Sequence, residues 1–502
     1  MTDRKTIASM RTISSSLVFP SSLLLPALLF LAQASKLSAD TFYLAPGGSD
    51  SAGNGSRQKP WRTMEYATGK VPDDGSTVVL LDGQYDGSQS VSRQFRKSCT
   101  VRAEHAYRAR LSGGLRQNRV LTCYEAANVV FRGLEIVGSG ASQGEYLVHI
   151  STPNTHHLVF EDCVIHDCYN NDMIKINDAT HHILFRNCVF YNQTDGEGFQ
   201  HFDINTCTDI RLEDSIFFND YAGSGRRSAH RSQGFIVAKN SGSTPDVTRR
   251  IDLRRNIFLN WDGKPDMAFI LLGEDGKPFT EAQQVMIENN LFIHNSPVRT
   301  WGTLLYKGGL KDITFRANTV VGHPAVKWTG AEAVVCLRIE KNPPMGDLVF
   351  ANNIFCDPTG EMPRLAIGEA RTFAPGSKQV LLNNLYWNAG KTVPAESQDV
   401  LVPGRDAKKI LADPRLGHWA AGKSAGGAAT RPRWDAKRGN FLSGQKTIRE
   451  EFERLARLCA VPAAGSPAIH AADVMNMPKD DILGHPRGQR PDLGCVESGT
   501  WR

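Results

Sequence analysis

The sequence is short of several signals that mark common function classes. Beyond residue 34 no stretch is apolar enough to cross a bilayer, which argues against a membrane-spanning mature chain. No glycine-rich phosphate loop, nucleophile elbow or paired-cysteine zinc spacing occurs, so nucleotide-dependent transfer, elbow-type serine hydrolysis and zinc-ribbon folds lack their defining residues. Excess charge is also scarce: 58 Lys and Arg against 52 Asp and Glu leave a formal charge of +6 over 502 residues. So small an imbalance builds no polyanion-binding surface by itself, and nucleic acid is not expected as a partner.

At the N-terminus, Arg4, Lys5 and Arg11 precede an apolar stretch, residues 17–31, that contains Pro20 and Pro26 and is followed by Ala32-Gln33-Ala34. A basic start, a short apolar centre and a small-x-small end read as a secretory signal over residues 1–34, and the interrupted centre is too short for a membrane anchor. The mature chain is therefore expected to be secreted or periplasmic. Loss of Arg4, Lys5, Arg11 and Asp3 lowers its formal charge from +6 to +4, a mildly basic balance that suits an acidic partner. Ten cysteines would permit disulfides in that compartment.

What the chain does have is one unit many times over. It reads LVFEDCVI from Leu158, ILFRNCVF from Ile183, IRLEDSIF from Ile210, IDLRRNIF from Ile251, VMIENNLF from Val285, ITFRANTV from Ile313 and LVFANNIF from Leu348. One slot holds Cys163, Cys188, Ser215, Asn256, Asn290, Asn318, Asn353 and, in LLNNLYW, Asn384, at spacings of 25, 27, 41, 34, 28, 35 and 31 residues. Alternation with a period of two argues for strands. A unit this short cannot bury its own apolar face, so units must stack as a solenoid around a shared interior. Side-chain amides at one slot can then donate to and accept from the copies above and below. Cys163 and Cys188 share that slot on neighbouring rungs; they read as buried small residues of the ladder, with a bridge between them as the alternative.

These repeats resemble the rungs of the right-handed parallel β-helix of the pectate lyase superfamily. TFYLAPGGSDSAGNGSRQKPWRTMEYAT from Thr41 is similar to the entry of secreted members, with a first strand, a glycine-rich loop and a capping helix. GSPAIHAAD from Gly465 and DDILGHPRGQRPDLGCVE from Asp480 resemble their closing segment. The expected fold is all-β: a single-stranded right-handed parallel β-helix, or solenoid, over residues 35–389 with an N-terminal cap, and the expected state is a monomer. Residues 390–502 are expected to supply a linker around AAGKSAGGAATRPR, an amphipathic helix in KTIREEFERLARLCAV from Lys446, and a closing segment packed on the column.

Candidate chemistry lies on a second strand of each rung: YLVHIST from Tyr146, DMIKIND from Asp172, QHFDINT from Gln200 and GFIVAKNSGS from Gly234. Setting Val148/Ile150, Ile174/Ile176 and Phe202/Ile204 inward places His149, Lys175 and Asp203 in one outward column and Ser151, Asn177 and Asn205 in the next. The resemblance implies β-elimination on an acidic, uronate-containing polysaccharide, in which a base removes the proton beside the carboxylate and the sugar oxygen across the adjacent bond leaves. That chemistry needs a base with a depressed pKa and a cation to neutralise the uronate. Lys239 is the first candidate base, with Lys175 the second. The loop YAGSGRRSAHRSQG supplies Arg226, Arg227, His230 and Arg231 to lower the Lys239 pKa and hold substrate, and His149 and His201 point outward by alternation as further substrate contacts. Against these roles, Lys239 reads equally as a solvated strand-end lysine, and Lys175 as a salt-bridge partner of Asp203.

The resemblance also implies calcium, whose hard oxygen ligands would come from Asp172, Asp195, Glu197 and Asp203. The sequence departs from the tight acidic clusters of calcium-using lyases, with Asn170-Asn171-Asp172 in their place. His156-His157 and His181-His182 sit at equivalent repeat positions, so repetition explains them better than metal binding does, and zinc would need a third ligand that sequence does not reveal. Alternatives of a different class stay open: a β-helix glycoside hydrolase working through Asp172 and Asp203, or a non-catalytic glycan-binding or cell-surface protein.

Overall fold

The computed structural model describes residues 39–500 except 114–118, 141–145, 246, 265–266, 276, 278, 294–297, 301–309, 323–334, 340–345, 368–375 and 418–430. The signal expected over residues 1–34 and most of the linker around AAGKSAGGAATRPR lie outside these residues. Each circuit of the chain lays one strand into each of three parallel sheets of twelve, ten and twelve strands. In one circuit Tyr146–Ser151 enters the second sheet, His156–Glu161 the first and Val164–His166 the third. The next circuit repeats the order with Ile174–Ile176, His181–Arg186 and Val189–Tyr191. Leu158 pairs with Ile183 and Phe160 with Phe185, so equivalent residues lie directly above one another. The expected parallel β-helix is the observed fold.

Register turns single apolar positions into continuous columns. The rings of Phe131, Phe160 and Phe185 stack at 4.6 and 4.4 Å, and those of Phe190, Phe217, Phe258 and Phe292 at 4.8, 4.8 and 4.9 Å. These spacings match the distance between neighbouring strands, so each ring meets the next without leaving its rung.

The corner between the first and third sheets is built from two residues. The first sits at positive φ: Asp162, Asn187, Asp214, Arg255, Asn289, Ala317, Asn352 and Asn383 all fall between 51° and 59°. Asn and Asp tolerate this left-handed conformation best, and they fill six of the eight corners. The second residue points into the column and is the repeat slot. From Asn256 to Asn353 each amide oxygen accepts the backbone N–H of the rung before it: Asn256 N–H reaches Asn290 at 2.9 Å, Asn290 reaches Asn318 at 2.9 Å and Asn318 reaches Asn353 at 2.9 Å. The side-chain N–H groups donate to the next amide oxygen and to a strand carbonyl, as Asn318 does to Asn353 and Ile287 at 3.2 and 2.9 Å. The ladder passes through Ser215 to the Cys188 backbone at one end and stops on the Asp406 carboxylate at the other. All ten cysteines are buried free thiols, and Cys163 and Cys188 fill the slot as ladder members.

At the N-terminal end the helix Met64–Lys70, capped by the Thr63 hydroxyl, buries Met64 and Ala67 against the interior. Ile410–Leu411 pairs with Leu385–Tyr386, so the lapse of the repeat after Gly390 does not end the third sheet. The helix Ile448–Ala460 opens on a capping box of Thr447 and Glu450 and buries Ile448, Phe452 and Leu455. Its partners are Val164, Val189, Ile216 and Ile257, outward side chains of the third sheet, so it lies across the flank of the column. The closing segment runs along the corners. Asn383 donates to Ala471, Asn352 exchanges two bonds with Asp473, and Asn289 and Arg255 both hold Asp480. Among the described residues no helix is long and apolar enough to cross a membrane.

Replacing Asn318 by Ala removes the acceptor of two Asn290 N–H groups in a dry environment. The expected loss is about 2–5 kcal/mol, read as a lowered urea midpoint. Asn154→Ala, at an exposed amide, should cost about 0.5 kcal/mol or less.

Candidate functional site

The outer face of the second sheet carries the polar columns expected for it. His149, Lys175 and Asp203 are in register, and Val237 and Leu271 continue that column as apolar residues. Asn205 pairs with Lys239, which therefore stands one column over from Asp203. Strict alternation fails at the strand starts. The N–H groups of Leu147 and Val148 both donate to the Met173 carbonyl, and those of Phe235 and Ile236 both donate to Phe269. This local bulge turns two successive side chains inward.

His201 does not stand on the outer face. It is fully buried in a corner column with Leu147, Met173, Phe235 and Phe269, its ring stacked on Phe235 at 4.5 Å. Burial drives its pKa down to about 3, against a weak opposing bond from Asn219, so the ring stays neutral. His149 does stand on the outer face, but Tyr124 and Tyr146 pack over it. Its nitrogens meet the Tyr124 hydroxyl at 2.6 Å and the Asn177 amide oxygen at 2.9 Å.

The remaining groups form a lysine–carboxylate cluster centred on Asp203, which is 2 % exposed. Asp203 is ion-paired with Lys175 and lies 3.8 Å from the Lys239 nitrogen. Lys239 also bonds Glu274 and approaches Asp275 to 3.6 Å. Burial alone would lower the Lys239 pKa, but Asp203, Glu274 and Asp275 outweigh it and hold the ammonium above the ordinary lysine range. Asp172, whose carboxylate accepts the Gln200 N–H at 3.2 Å, is pushed well above the usual range by burial and by Asp203. Glu274 is likewise raised by burial, with Lys239 opposing. Among the described residues, the second carboxylate oxygen of Asp203 is buried without a hydrogen-bond partner.

The arginine loop does not act on Lys239 as expected. Arg226 is pinned inward, donating to the Asn192 and Cys168 carbonyls at 3.1 and 2.9 Å and lying over the Tyr169 ring at 4.3 Å. His230 faces Asp262 at 3.0 Å, and Arg231 faces Glu197 at 3.9 Å. Arg227 is exposed on the rim of an open cavity of about 570 Å³ that Arg226, Ser228, His230 and Asp262 also line. Lys239 therefore takes its shift from carboxylates, opposite in sign to the expectation.

Of the four acids expected to hold calcium, Asp172 and Asp203 interact, but Asp195 and Glu197 do not join them. Asp195 accepts the backbone N–H groups of Ala229 and Arg231, and Glu197 is exposed between Arg231 and Lys264. The acids that do surround Asp203 already hold two ammonium groups. That donor set does not fit a calcium cage, in which the cation would supply the positive charge.

Among solved structures, the chain is similar to pectate lyase Pel9A at 15% identity, covering 92% of this chain and 97% of that one with a TM-score of 0.52. The chain has the pectate lyase fold. It is also similar to a GH136 lacto-N-biosidase from Eubacterium ramulus (11% identity, 74% and 67% covered, TM-score 0.45). An alginate lyase from Paenibacillus sp. str. FPU-7 gives 14% identity, 69% and 97% covered and a TM-score of 0.41. Neither a family model nor a curated protein sequence matches the chain.

Four contributors to this face went unread in the sequence. Glu274 and Asp275 follow the strand Ile270–Leu272, and because Ala238 pairs with Leu272, Gly273 falls beside Lys239 and its successors reach over it. Carrying the strand alignment one rung further, into LLGEDGKP, would have found them. Glu281 fixes that loop by accepting the N–H groups of Glu274, Asp275 and Lys277 at 2.8, 3.0 and 2.8 Å. With its amide turned, Gln233 links Glu274 to the Gly198 N–H at 3.1 and 3.2 Å.

Since the Asp203 charge raises Lys239, Asp203→Asn should move the Lys239 pKa down. Amine-selective acylation of the Lys239 peptide, followed by mass spectrometry across pH, should show labelling at lower pH than in the parent protein. An unchanged profile would contradict the electrostatic assignment.

Proposed function

We propose that this is a secreted or periplasmic carbohydrate-active enzyme that cleaves an acidic, uronate-containing polysaccharide by β-elimination at the cluster around Asp203. The observation that carries this reading is the cluster itself. Two lysines share one buried carboxylate on the outer face of a pectate lyase-type column, beside two carboxyl groups whose pKa values are raised. Lysines and carboxyl groups with perturbed pKa values gathered in one recess are an arrangement that acid–base chemistry uses.

The roles we propose differ from the sequence expectation. A lysine held protonated by three carboxylates is a poor base, so Lys239 contributes charge: its ammonium, with that of Lys175, offsets the negative charge that develops on the uronate carboxylate as its α-proton leaves. Glu274, bonded to Lys239 and raised by burial, is the group suited to take that proton. The electron pair of the broken C–H bond forms the new C=C bond as the adjacent C–O bond breaks, and the departing sugar oxygen keeps that bond's electron pair and takes a proton from water. Exposed Arg227 and Arg231 offer guanidinium groups with which a polyanion can pair. Calcium has no step in this scheme, because the lysines occupy the electrostatic role it would play.

Incubation with pectate, alginate and glycosaminoglycans should raise the ultraviolet absorbance of an unsaturated product on at least one of them, with and without a chelator. Glu274→Gln and Lys239→Ala should each lower the rate at least 100-fold. A raised Glu274 pKa means the basic form is lost on acidification earlier than for an ordinary glutamate. The acidic limb of kcat/KM should therefore lie above pH ~4.5. New reducing ends without absorbance would replace elimination by hydrolysis, and retention on a glycan column with neither would replace catalysis by binding.

A further inference from the structure

Four of the fourteen histidines form a square on two successive rungs, on the first sheet and apart from the cluster around Asp203. His156 pairs in register with His181, and His157 and His182 both take positive φ, 52° and 56°. The rings of His156 and His181 stack at 5.0 Å and 9°, those of His157 and His182 at 4.6 Å and 11°. Within each rung the two Nδ1 atoms meet at 2.8 and 2.7 Å. Ring nitrogens of His157, His181 and His182 all lie within 4.8 Å of one another.

Repetition does not account for this. The preceding rung has Ala127 and Asn128 at these positions and the following one has Thr208 and Asp209, so the imidazoles are confined to two rungs. We propose that His157, His181 and His182 bind a divalent transition-metal ion of the zinc class. Three imidazole donors suit zinc, nickel or copper and exclude hard cations such as calcium. Zinc–nitrogen bonds of about 2.0–2.1 Å at tetrahedral angles put ligand nitrogens about 3.4 Å apart. Rotation of partly exposed rings closes the remaining gap. Asp209, held by Arg250 through two 2.6 Å bonds, stands 3.9 Å from the His182 Nδ1 and is placed to orient that ring from outside the ligand set.

The test uses the full chain purified without a polyhistidine tag and titrated with zinc chloride by calorimetry, with calcium chloride as the hard-cation control. About one equivalent of zinc should bind and calcium should not. His157→Asn/His182→Asn, chosen because Asn accepts positive φ, should weaken zinc binding at least 10-fold while leaving polysaccharide cleavage unchanged. Should that variant lose its β-sheet circular dichroism, His181→Ala, outside the positive-φ positions, carries the same expectation. Equal zinc affinity in parent and variants, or no zinc binding by the parent, would overturn the assignment.

Discussion

The column depends on one corner. A residue held at positive φ reverses the chain, and the residue after it sends a polar group into a dry interior where every donor must find an acceptor. The asparagines answer that demand collectively, each amide oxygen serving the rung before it. A shift of one residue would put an apolar side chain opposite a buried N–H and break the chain of bonds on both sides. The polar ladder thus fixes the register that the aromatic columns alone, being non-directional, leave less sharply defined.

Register is what makes chemistry available on the outer face. Lys175, Asp203, Lys239 and Glu274 belong to four different rungs, yet the ion pairs among them are as close as those within one loop. The carboxylates decide the outcome for Lys239: burial pulls its pKa one way, three negative neighbours pull it the other, and the neighbours win. Burial, helped by the Asp203 charge, raises Asp172 and Glu274, so Lys239 is held charged while two carboxyl groups are held nearer neutrality.

Much of this was legible in the sequence, for a physical reason. A solenoid repeats its interior, so periodic Ile, Phe and Asn expose the strands, the corner and the ladder without any long-range information. The column of His149, Lys175 and Asp203 followed from alternation alone. Alternation misplaced His201, which is buried, and it fails likewise at other strand starts of the same sheet, where paired backbone bonds to Met173 and Phe269 break it and no residue type announces them. The arginine loop misled in a similar way: its composition was basic, but Arg226 is spent on carbonyls and an aromatic ring, and the charge that reaches Lys239 comes from Asp203 on the rung before and from Glu274 and Asp275 on the rung after. Loops between rungs carry no period, and their partners are set only when the column is assembled.

The corner residues have a second face. Outside the column, Arg255, Asn289, Asn352 and Asn383 grip the closing segment at Asp480, Asp473 and Ala471, so one strap binds corners on four separate rungs. Stacked repeats ordinarily communicate only with their neighbours and can fray from an end one at a time. Here the peeling of a terminal rung must also release the strap from the rungs beneath it, which converts a stack of locally coupled coils into a unit that opens together or not at all.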